Sequence, residues 1–379
     1  MNKLALYVHI PFCVQKCRYC DFYSMTGGDR EVYYAYKNAL KRHFAAASEA
    51  AACYEVDSIY FGGGTPSLMP AEILCELMQS IRCHFRLADD CEVTLEMNPG
   101  TSDEKAMKTY LEGGFNRLSI GCQSANDNEL RLLGRIHNFT DFRKTMEDAK
   151  RAGFVNISAD LMMALPGQNE ESLLYSIDRI VELDPNHISV YGLKIEKGTW
   201  FDRHRDELVF HDEDSESSLY LTAVSRLCEH GYFQYEISNF SKKGYESRHN
   251  LKYWNAMPYL GFGPAAYSFF ENRRYGYCRD LCAYMDACSN LDFSPILQDV
   301  EYLSKEDIIE EKILLGLRLN KGIFVFDFPF DKKTDEYIKK LCQNEFAVYN
   351  DGTLSLTAKG MLLDNYITSE LLLHLEYSE

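Results

Sequence analysis

Residues 4–20 read LALYVHIPFCVQKCRYC and join a short β-strand pattern to three cysteines. Cys13, Cys17 and Cys20 follow the strand with the spacing C-x3-C-x2-C. Three thiolates on one loop can hold three irons of a 4Fe-4S cluster, because full protein ligation of such a cluster takes four cysteines. The fourth iron would then stay open to a small ligand. The motif predicts an iron–sulfur site at the end of the first strand.

An open iron can chelate the amino and carboxylate groups of a small molecule. An electron delivered through the cluster can then break a sulfonium bond in that molecule, which is the chemistry of S-adenosylmethionine (SAM) radical proteins. A structural zinc loop is the alternative. Zinc requires a fourth ligand in such sites, and the candidate nearest in sequence, His9, falls inside the strand pattern.

Short β-rich segments alternate with helical patterns as far as about residue 196, which is typical of βα units around a parallel sheet. The six predicted strands are Leu4–Ile10, Asp57–Phe61, Glu92–Met97, Arg117–Gln123, Asn156–Met162 and His187–Leu193. The predicted helices are Val32–Ala47, Pro70–Phe85, Asp103–Glu112, Phe139–Ala152 and Glu171–Leu183, with Gly113, Gly114 and Gly153 at helix ends. We expect an α/β fold, a partial (β/α)6 barrel like an incomplete TIM barrel.

Polar and apolar residues alternate within the predicted strands, so each strand has one polar and one apolar face. We expect the apolar faces to pack against the outer helices and the polar faces to line a cavity. Glu96, Gln123 and Asp160 fall at strand ends, where parallel α/β folds place their ligands. The sequence therefore predicts that these three side chains meet in one cavity.

The pattern changes after Glu196, and we divide the chain into three parts. Residues 1–196 form the barrel core. Residues 197–303 form an extension, with an acidic helix over Asp214–His230 and a loop-rich aromatic segment over Tyr232–Tyr277. Residues 304–379 read as helix, helix, the short strand Thr353–Leu356 and a helix over Ala358–Tyr366, which predicts a mostly helical, winged-helix-like domain.

The 379 residues include 40 basic and 57 acidic side chains, giving a formal net charge of −17. An acidic chain is poorly suited to bind a phosphate backbone, so we expect no nucleic-acid partner. Uninterrupted apolar runs long enough to span a membrane and a signal-peptide pattern are both missing, which favours a cytoplasmic protein. The 13 cysteines are an odd number spread along a large chain, a pattern that favours reduced thiols and metal ligation over disulfides.

Gly62-Gly63-Gly64-Thr65-Pro66 follows the second predicted strand. Glycines at this position let main-chain groups approach a ligand closely. Alone, the motif is equally typical of a tight turn. Beside a cysteine loop on the same barrel rim, it predicts a site for the methionine part of SAM.

At this point the sequence resembles the coproporphyrinogen III dehydrogenase group of radical SAM proteins. The matching segments are Tyr7–Cys13, Gly62–Ser67, Leu95–Pro99, Leu118–Ser124, Leu133–His137 and Asp160–Gly167. The resemblance implies a radical SAM barrel in which the cysteines hold the cluster. It also implies that the residues contacting SAM are Tyr7, Gly63, Gly64, Thr65, Glu96, Gln123, Arg135 and Asp160, to which we add Tyr19 from the cysteine loop. Carboxylates suit ribose hydroxyls and a sulfonium charge, and a guanidinium suits the carboxylate of the ligand.

Two features distinguish subgroups of this family. The dehydrogenases resemble one another in a fourth cysteine two residues beyond the third, where this sequence has Phe22, and in a long N-terminal extension, where six residues precede Tyr7. The segment Arg248–Trp254 instead resembles the HNxxYW motif of the heme-chaperone (HemW) subgroup. The resemblance implies that His249 is an iron ligand and that Asn250, Tyr253 and Trp254 contribute to a heme site. The alternative is that His249 is a core histidine whose ring nitrogens are hydrogen-bonded within the protein and whose ring packs beside aromatic residues.

Cys278, Cys282 and Cys288 lie within eleven residues and could hold a second metal, but buried packing thiols are the interpretation we favour. The same interpretation covers the remaining cysteines, which are Cys53, Cys75, Cys83, Cys91, Cys122, Cys228 and Cys342.

The resemblance as a whole implies a heme chaperone with a 4Fe-4S cluster, SAM and heme. It also implies a heme-acceptor protein, which could be membrane-associated, and an electron donor such as flavodoxin or ferredoxin. Oxidative decarboxylation of coproporphyrinogen III and anaerobic heme breakdown are the enzymatic alternatives.

Overall fold

The computed structural model describes residues 2–377, and most of its strands join one mixed sheet. The strands are β1 (Asn2–Ile10), β2 (Phe12–Cys13), β3 (Met25–Thr26), β4 (Tyr54–Gly63), β5 (Leu87–Met97), β6 (Arg117–Gln123), β7 (Ile157–Met163), β8 (His187–Gly192), β9 (Phe233–Glu236), β10 (Asn239–Ser241), β11 (Tyr259–Phe262), β12 (Tyr267–Phe270), β13 (Arg273–Tyr277), β14 (Leu297–Tyr302), β15 (Ile323–Phe324), β16 (Ala347–Asn350) and β17 (Thr353–Leu356).

The mixed sheet has 12 strands in the order β14-β13-β12-β11-β1-β4-β5-β6-β7-β8-β10-β9. The strands from β11 to β8 in this order pair in parallel, and those outside them pair antiparallel. All six predicted strands are present in the parallel part. Strand β11 is a seventh parallel strand that the sequence did not predict.

The described helices are α1 (Arg30–Ser48), α2 (Ala71–His84), α3 (Glu104–Gly113), α4 (Asp127–Leu132), α5 (Phe139–Ala152), α6 (Glu170–Val181), α7 (Trp200–Arg203), α8 (Glu213–Glu229), α9 (Arg248–Trp254), α10 (Leu281–Asn290), α11 (Lys305–Gly316), α12 (Thr334–Gln343), α13 (Ala358–Met361) and α14 (Asp364–Leu372). Helices α1, α2, α3, α5, α6, α8 and α10 share the main apolar core with the parallel strands, and the last four helices belong to the C-terminal part. Helices α3 and α5 end at Gly114 and Gly153, whose φ angles of 99° and 106° suit glycine. The predicted helix ends at Gly114 and Gly153 are confirmed.

The main core lies between this helical layer and the parallel strands. Leu118, Ile120 and Cys122 of β6 are fully buried within it. The alternate residues Ser119, Gly121 and Gln123 face a cavity on the other side of the sheet. The predicted division of the strands into an apolar and a polar face is therefore confirmed.

The loop-rich interpretation of Tyr232–Tyr277 was wrong. The segment contains strands β9 to β13 and helix α9, and β11 pairs in parallel with β1. These strands are only three to five residues long, so each is too short to show a clear alternation of polar and apolar residues.

The C-terminal part has its own apolar core. Helices α11 to α14 accompany a three-stranded sheet in the order β15-β17-β16, and their buried side chains form a cluster separate from the main core. This arrangement agrees with the predicted mostly helical, winged-helix-like unit. The borders drawn after residues 196 and 303 stay predictions. Between residues 2 and 377, the helices lack the combination of length and apolar character needed to cross a bilayer.

Candidate functional site

A cavity of about 560 Å³ opens at the carboxyl ends of the parallel strands, and we call it the cluster cavity. It brings together the predicted cysteines and nearly all of the residues predicted to bind SAM. Those lining it are Cys13, Cys17, Tyr19, Cys20, Gly63, Gly64, Thr65, Glu96, Gln123, Arg135 and Asp160. The expectation that Glu96, Gln123 and Asp160 share one cavity is therefore confirmed in its geometry.

The cysteine loop is fixed to the barrel rim by main-chain contacts. The Arg18 N–H donates to the Leu133 carbonyl at 3.0 Å, and the Trp200 N–H donates to the Arg18 carbonyl at 3.1 Å. The Arg18 guanidinium also lies 4.2 Å from the Trp200 ring centroid, a favourable cation–π distance. These contacts hold three thiols toward the cavity while the loop itself has little regular structure.

The donor set at this end of the cavity consists of three thiols on one loop, those of Cys13, Cys17 and Cys20. Among residues 2–377, no three Cys, His, Asp or Glu side chains converge on a single metal-ion position. Three cysteines that face a cavity fit a 4Fe-4S cluster with one iron left open to a ligand, whereas a structural zinc site takes four protein ligands.

The glycine motif packs against the end of β1. The Gly64 N–H donates to the Ile10 carbonyl at 2.8 Å, and a Cβ on Gly64 would lie 2.7 Å from the Phe12 carbonyl oxygen. Gly63 has a φ angle of 109°, which favours glycine. The sequence predicts that these glycines let main-chain groups approach a ligand. In the structure they also let the motif approach the backbone that leads into the cysteine loop.

Two carboxylates project from the strands into the cluster cavity. Glu96 accepts hydrogen bonds from the Tyr60 hydroxyl at 2.7 Å and the Gly63 N–H at 3.1 Å. Burial raises the pKa of Glu96 to about 7, although the Tyr60 hydrogen bond opposes the shift. Asp160 accepts from the Ser119 hydroxyl at 3.1 Å, and burial raises its pKa as well. Both groups would gain from a ligand that offers hydroxyl donors or positive charge.

Arg135 connects the cysteine loop to the strand ends. Its Nη2 donates to Asn98 Oδ1 at 2.6 Å and to the Gly121 carbonyl at 2.9 Å. Its Nη1 lies 3.4 Å from the Tyr19 hydroxyl and 3.5 Å from the Cys17 sulfur. The same guanidinium could therefore bind a ligand carboxylate beside the cysteines.

Several lining residues were missed by the sequence interpretation. They are Tyr60, Asn98, Arg117, Ser189 and Tyr191. The predicted polar face of strand β6 already included Ser119, and the same alternation could have identified Arg117, which lies on that face with Ser119 and Gln123. Arg117 is 2% exposed, and a lone arginine at the start of a strand gives no sequence signal of such burial.

Tyr7 is the one predicted SAM residue outside the cluster cavity. It lines a second cavity of about 590 Å³, which we call the tyrosine cavity. Its hydroxyl lies 3.1 Å from His9 Nδ1, and its ring is stacked on Tyr60 at a centroid distance of 6.3 Å. Tyr7 and Tyr60 therefore lie where the two cavities approach each other.

The four residues predicted for heme are not brought to one surface. His249 is 1% exposed, and its two ring nitrogens lie 3.1 Å from the Ser58 hydroxyl and 2.9 Å from the Tyr253 hydroxyl. Burial lowers the His249 pKa to about 3, so the ring is neutral at ordinary pH. Asn250 lines the cluster cavity and Tyr253 lines the tyrosine cavity.

Trp254 points toward the C-terminal part of the chain, with its ring centroid 5.8 Å from the Arg318 guanidinium carbon. In this arrangement both ring nitrogens of His249 have hydrogen-bond partners in the protein core. These contacts match the alternative interpretation of His249 as a structural core histidine. An iron ligand at His249 would require the Tyr253 hydrogen bond to open.

The remaining cysteines differ in exposure. Cys91, Cys122 and Cys288 are buried, as predicted for packing thiols. Four others are exposed, so the packing interpretation was wrong for them: Cys53, Cys83, Cys228 and Cys282. Each belongs to a helix, or to the turn after one, at a position that faces outward, and a lone cysteine in a sequence does not reveal that face.

Comparison with known proteins agrees with this geometry. The Radical SAM superfamily model matches residues 7–180, and a HemN C-terminal domain model matches residues 303–363. A Bacillus subtilis protein named heme chaperone HemW is 34% identical over 372 residues, covering 96% of this chain and 97% of the relative. The chain belongs to the HemW family of radical SAM proteins.

Other HemW relatives include an Escherichia coli protein that is 38% identical over 70% of each chain. Among solved structures, E. coli coproporphyrinogen III oxidase (HemN), described as a radical SAM enzyme, superimposes with a TM-score of 0.83 over 97% of this chain and 89% of its own. Their sequences are 23% identical, so this likeness shows the shared fold. Membership of a radical SAM family implies a 4Fe-4S cluster and SAM.

Proposed function

We propose that this HemW-family chain is a heme chaperone that holds a 4Fe-4S cluster and SAM in the cluster cavity and binds heme for transfer to an acceptor protein. The observation that carries the proposal is the near full-length similarity to proteins named heme chaperones, 34% identical over 96% of this chain. The likeness to HemN supports the fold alone.

Cys13, Cys17 and Cys20 would ligate the cluster, which supplies one-electron chemistry toward SAM when both are bound. Arg135 would orient the carboxylate of SAM through the donors it directs beside Cys17. Glu96 and Asp160 would accept hydrogen bonds from hydroxyl groups or stabilise positive charge inside the cavity. Tyr19 and Gln123 would complete the walls around the ligand.

The heme site would involve the segment that contains His249, Asn250, Tyr253 and Trp254. His249 contacts Tyr253 directly, so either residue could affect heme through the other. An acceptor protein, which could be membrane-associated, and a one-electron donor such as flavodoxin or ferredoxin complete the proposal. We place these events in the cytoplasm.

The experiment that tests this function is anaerobic reconstitution of the cluster, followed by separate titrations with heme and with coproporphyrinogen III. Stoichiometric heme binding without decarboxylated product would support the chaperone. Formation of decarboxylated product would favour the oxidative decarboxylase, and loss of the heme spectrum with appearance of ring-opened product would favour heme breakdown.

The His249→Ala variant tests the heme segment within this protein. We expect weaker heme binding and an altered absorption band, with unchanged cluster iron and SAM affinity. His187→Ala is a matched control, because His187 is also buried and its two ring nitrogens likewise lie within hydrogen-bond distance of one serine and one tyrosine hydroxyl, those of Ser158 and Tyr235. Equal loss of heme in both variants, or full heme affinity in His249→Ala, would contradict the role of His249.

A further inference from the structure

The tyrosine cavity lies between the end of β1, the segment after the cysteine loop and the antiparallel strands β12 to β14. Its phenylalanine and tyrosine lining residues are Tyr7, Phe22, Tyr23, Tyr253, Tyr259, Tyr267 and Tyr277. The cavity has a volume of about 590 Å³, and the polar or charged residues His9, Arg279, Gln298 and Asp299 complete its walls. Aromatic walls combined with a small set of polar side chains are typical of a small-molecule site.

We infer that the tyrosine cavity is the porphyrin-binding site of this protein, in which tyrosine rings contact the macrocycle and Arg279 binds a propionate. This inference rests on the proposed heme function and assigns it to a place distinct from the cluster cavity. The ligand class is a large planar macrocycle with apolar faces and carboxylates at one edge.

The ring hydroxyls inside this cavity are largely engaged with protein groups. The Tyr7 hydroxyl contacts His9 Nδ1 at 3.1 Å, the Tyr253 hydroxyl contacts His249 Nε2 at 2.9 Å, and the Tyr267 hydroxyl donates to Asp299 at 2.5 Å. Rings whose hydroxyls are fixed in this way present their faces and edges to a ligand. Flat aromatic ligands interact favourably with such rings in stacked or edge-to-face geometry.

Large apolar side chains remain exposed at the mouth of the cavity. Phe22 is 62% exposed and Tyr267 is 42% exposed. Phe22 lines both cavities, so a planar ligand against its ring would lie next to the cysteine loop. Exposed aromatic residues at the mouth of a cavity are typical of a binding site.

Arg279 supplies positive charge at the same mouth. Its Nη2 donates to the Asp21 carbonyl at 2.7 Å and to the Asp21 carboxylate at 3.0 Å. A guanidinium has five N–H donors, so further donors remain for a carboxylate. About half of the Arg279 side chain is exposed, 54%, which leaves it accessible to the propionate of a bound porphyrin.

The heme motif reaches this cavity through Tyr253, whose hydroxyl contacts His249. Both ring nitrogens of His249 have hydrogen-bond partners within the protein. Porphyrin binding in the tyrosine cavity therefore does not require a bond between iron and that histidine. Metal-free protoporphyrin IX should therefore bind to the same place as heme.

The test uses the full chain with its reconstituted cluster and measures binding of heme and of protoporphyrin IX by absorbance and tyrosine fluorescence quenching. We expect the double variant Phe22→Ser and Tyr267→Ser to weaken binding of both porphyrins by about tenfold or more, from the loss of two aromatic contacts. Tyr175→Ser, at a 51% exposed tyrosine of α6, is the matched control and should bind normally. Cluster iron is measured in every variant, and porphyrin binding is compared at equal cluster occupancy.

The carboxylate contact is tested separately with Arg279→Gln. We expect this variant to bind protoporphyrin IX more weakly, and to bind its dimethyl ester, which lacks the carboxylates, as wild type does. Arg86→Gln, at an exposed arginine outside both cavities, is the control. Equal weakening for the acid and the ester would overturn the assignment of Arg279.

The outcomes separate this inference from the proposed function. Failure of the wild-type chain to bind heme would contradict the chaperone function. Heme binding that is unaffected both in the Phe22→Ser and Tyr267→Ser double variant and in Arg279→Gln would leave the chaperone function intact. It would contradict the assignment of the tyrosine cavity as the porphyrin-binding site. Binding of heme without any binding of protoporphyrin IX would also overturn it, because the iron would then supply the essential contact.

Discussion

At the scale of single residues, the cluster cavity depends on buried charged groups that have few alternative hydrogen-bond partners. Arg135 contacts Asn98, Gly121, Tyr19 and Cys17 through one guanidinium. Removing one partner from such a set leaves a buried polar atom without a hydrogen bond, at a cost of about 1–3 kcal/mol. Substitutions here should therefore affect ligand binding and stability together, and each needs a matched control.

Cys17→Ala should abolish the reconstituted cluster, because two remaining thiolates are too few to hold three irons. Iron content and the visible absorbance of the cluster should fall to background. Cys228→Ala, at an exposed cysteine of α8, should keep both at the wild-type level. Retention of full iron content by Cys17→Ala would refute the cluster assignment.

Glu96 makes the stability of the cofactor-free protein depend on pH. Its pKa is raised from 4.5 to about 7 in the folded chain, so the folded state keeps a proton that the unfolded state releases between these values. Stability should therefore fall as pH rises through this interval. Glu96→Gln should reduce that fall by up to about 3 kcal/mol, as measured by chemical denaturation at a series of pH values.

The control for this measurement is Glu171→Gln on the exposed face of α6. Its stability should follow the wild-type dependence on pH. A Glu96→Gln variant with the same pH dependence as wild type would show that Glu96 titrates normally in the folded chain.

At the scale of elements, the sequence predicted the parts of the site that follow regular strands. Glu96, Gln123 and Asp160 could be placed together because long strands show alternation clearly. The convergence of Tyr253 and Tyr267 could not be predicted, since they belong to a short helix and a four-residue strand whose partners are distant in sequence. The separation of Tyr7 from the other SAM residues depends on tertiary packing, and the local sequence carries no signal of it.

The approach of the glycine motif to the cysteine loop gives a prediction for these elements. Gly64→Ala would place a Cβ 2.7 Å from the Phe12 carbonyl and 2.8 Å from the Ile10 carbonyl. We expect a loss of about 1–3 kcal/mol in unfolding free energy, typical of overpacking, and reduced cluster occupancy. Gly192→Ala, where the Cβ would lie 3.7 Å from Met163 Cε, should cost much less. Equal stability of the two variants would contradict this account.

At the scale of the whole molecule, the C-terminal part is joined to the large sheet by main-chain hydrogen bonds. The Ile237 N–H donates to the Arg318 carbonyl and the Asn320 N–H donates to the Tyr235 carbonyl, both at 3.0 Å. The Arg318 side chain contacts Asp364 at 2.6 Å and lies near Trp254. The C-terminal core, the edge of the large sheet and helix α9 therefore meet at one arginine.

Arg318→Ala should weaken this junction, because Asp364 is 7% exposed and would lose its cation. We expect a loss of about 1–3 kcal/mol in stability and faster proteolysis within the C-terminal part. Arg86→Ala should change neither quantity. Unchanged proteolysis and melting temperature in Arg318→Ala would mean that the main-chain pairing alone holds the C-terminal part in place.

The position of β1 has a consequence for synthesis of the chain on the ribosome. Its residues Ala5 to Val8 pair on one side with β4 and on the other with Tyr259 to Phe262 of β11. Until β11 has been translated, the nascent strand beside the cysteine loop has one open edge, and open edges invite pairing with other chains. Contacts this distant in sequence also form slowly. The strand that leads into the cysteine loop therefore gains both of its neighbours only after roughly two-thirds of the polypeptide has been made.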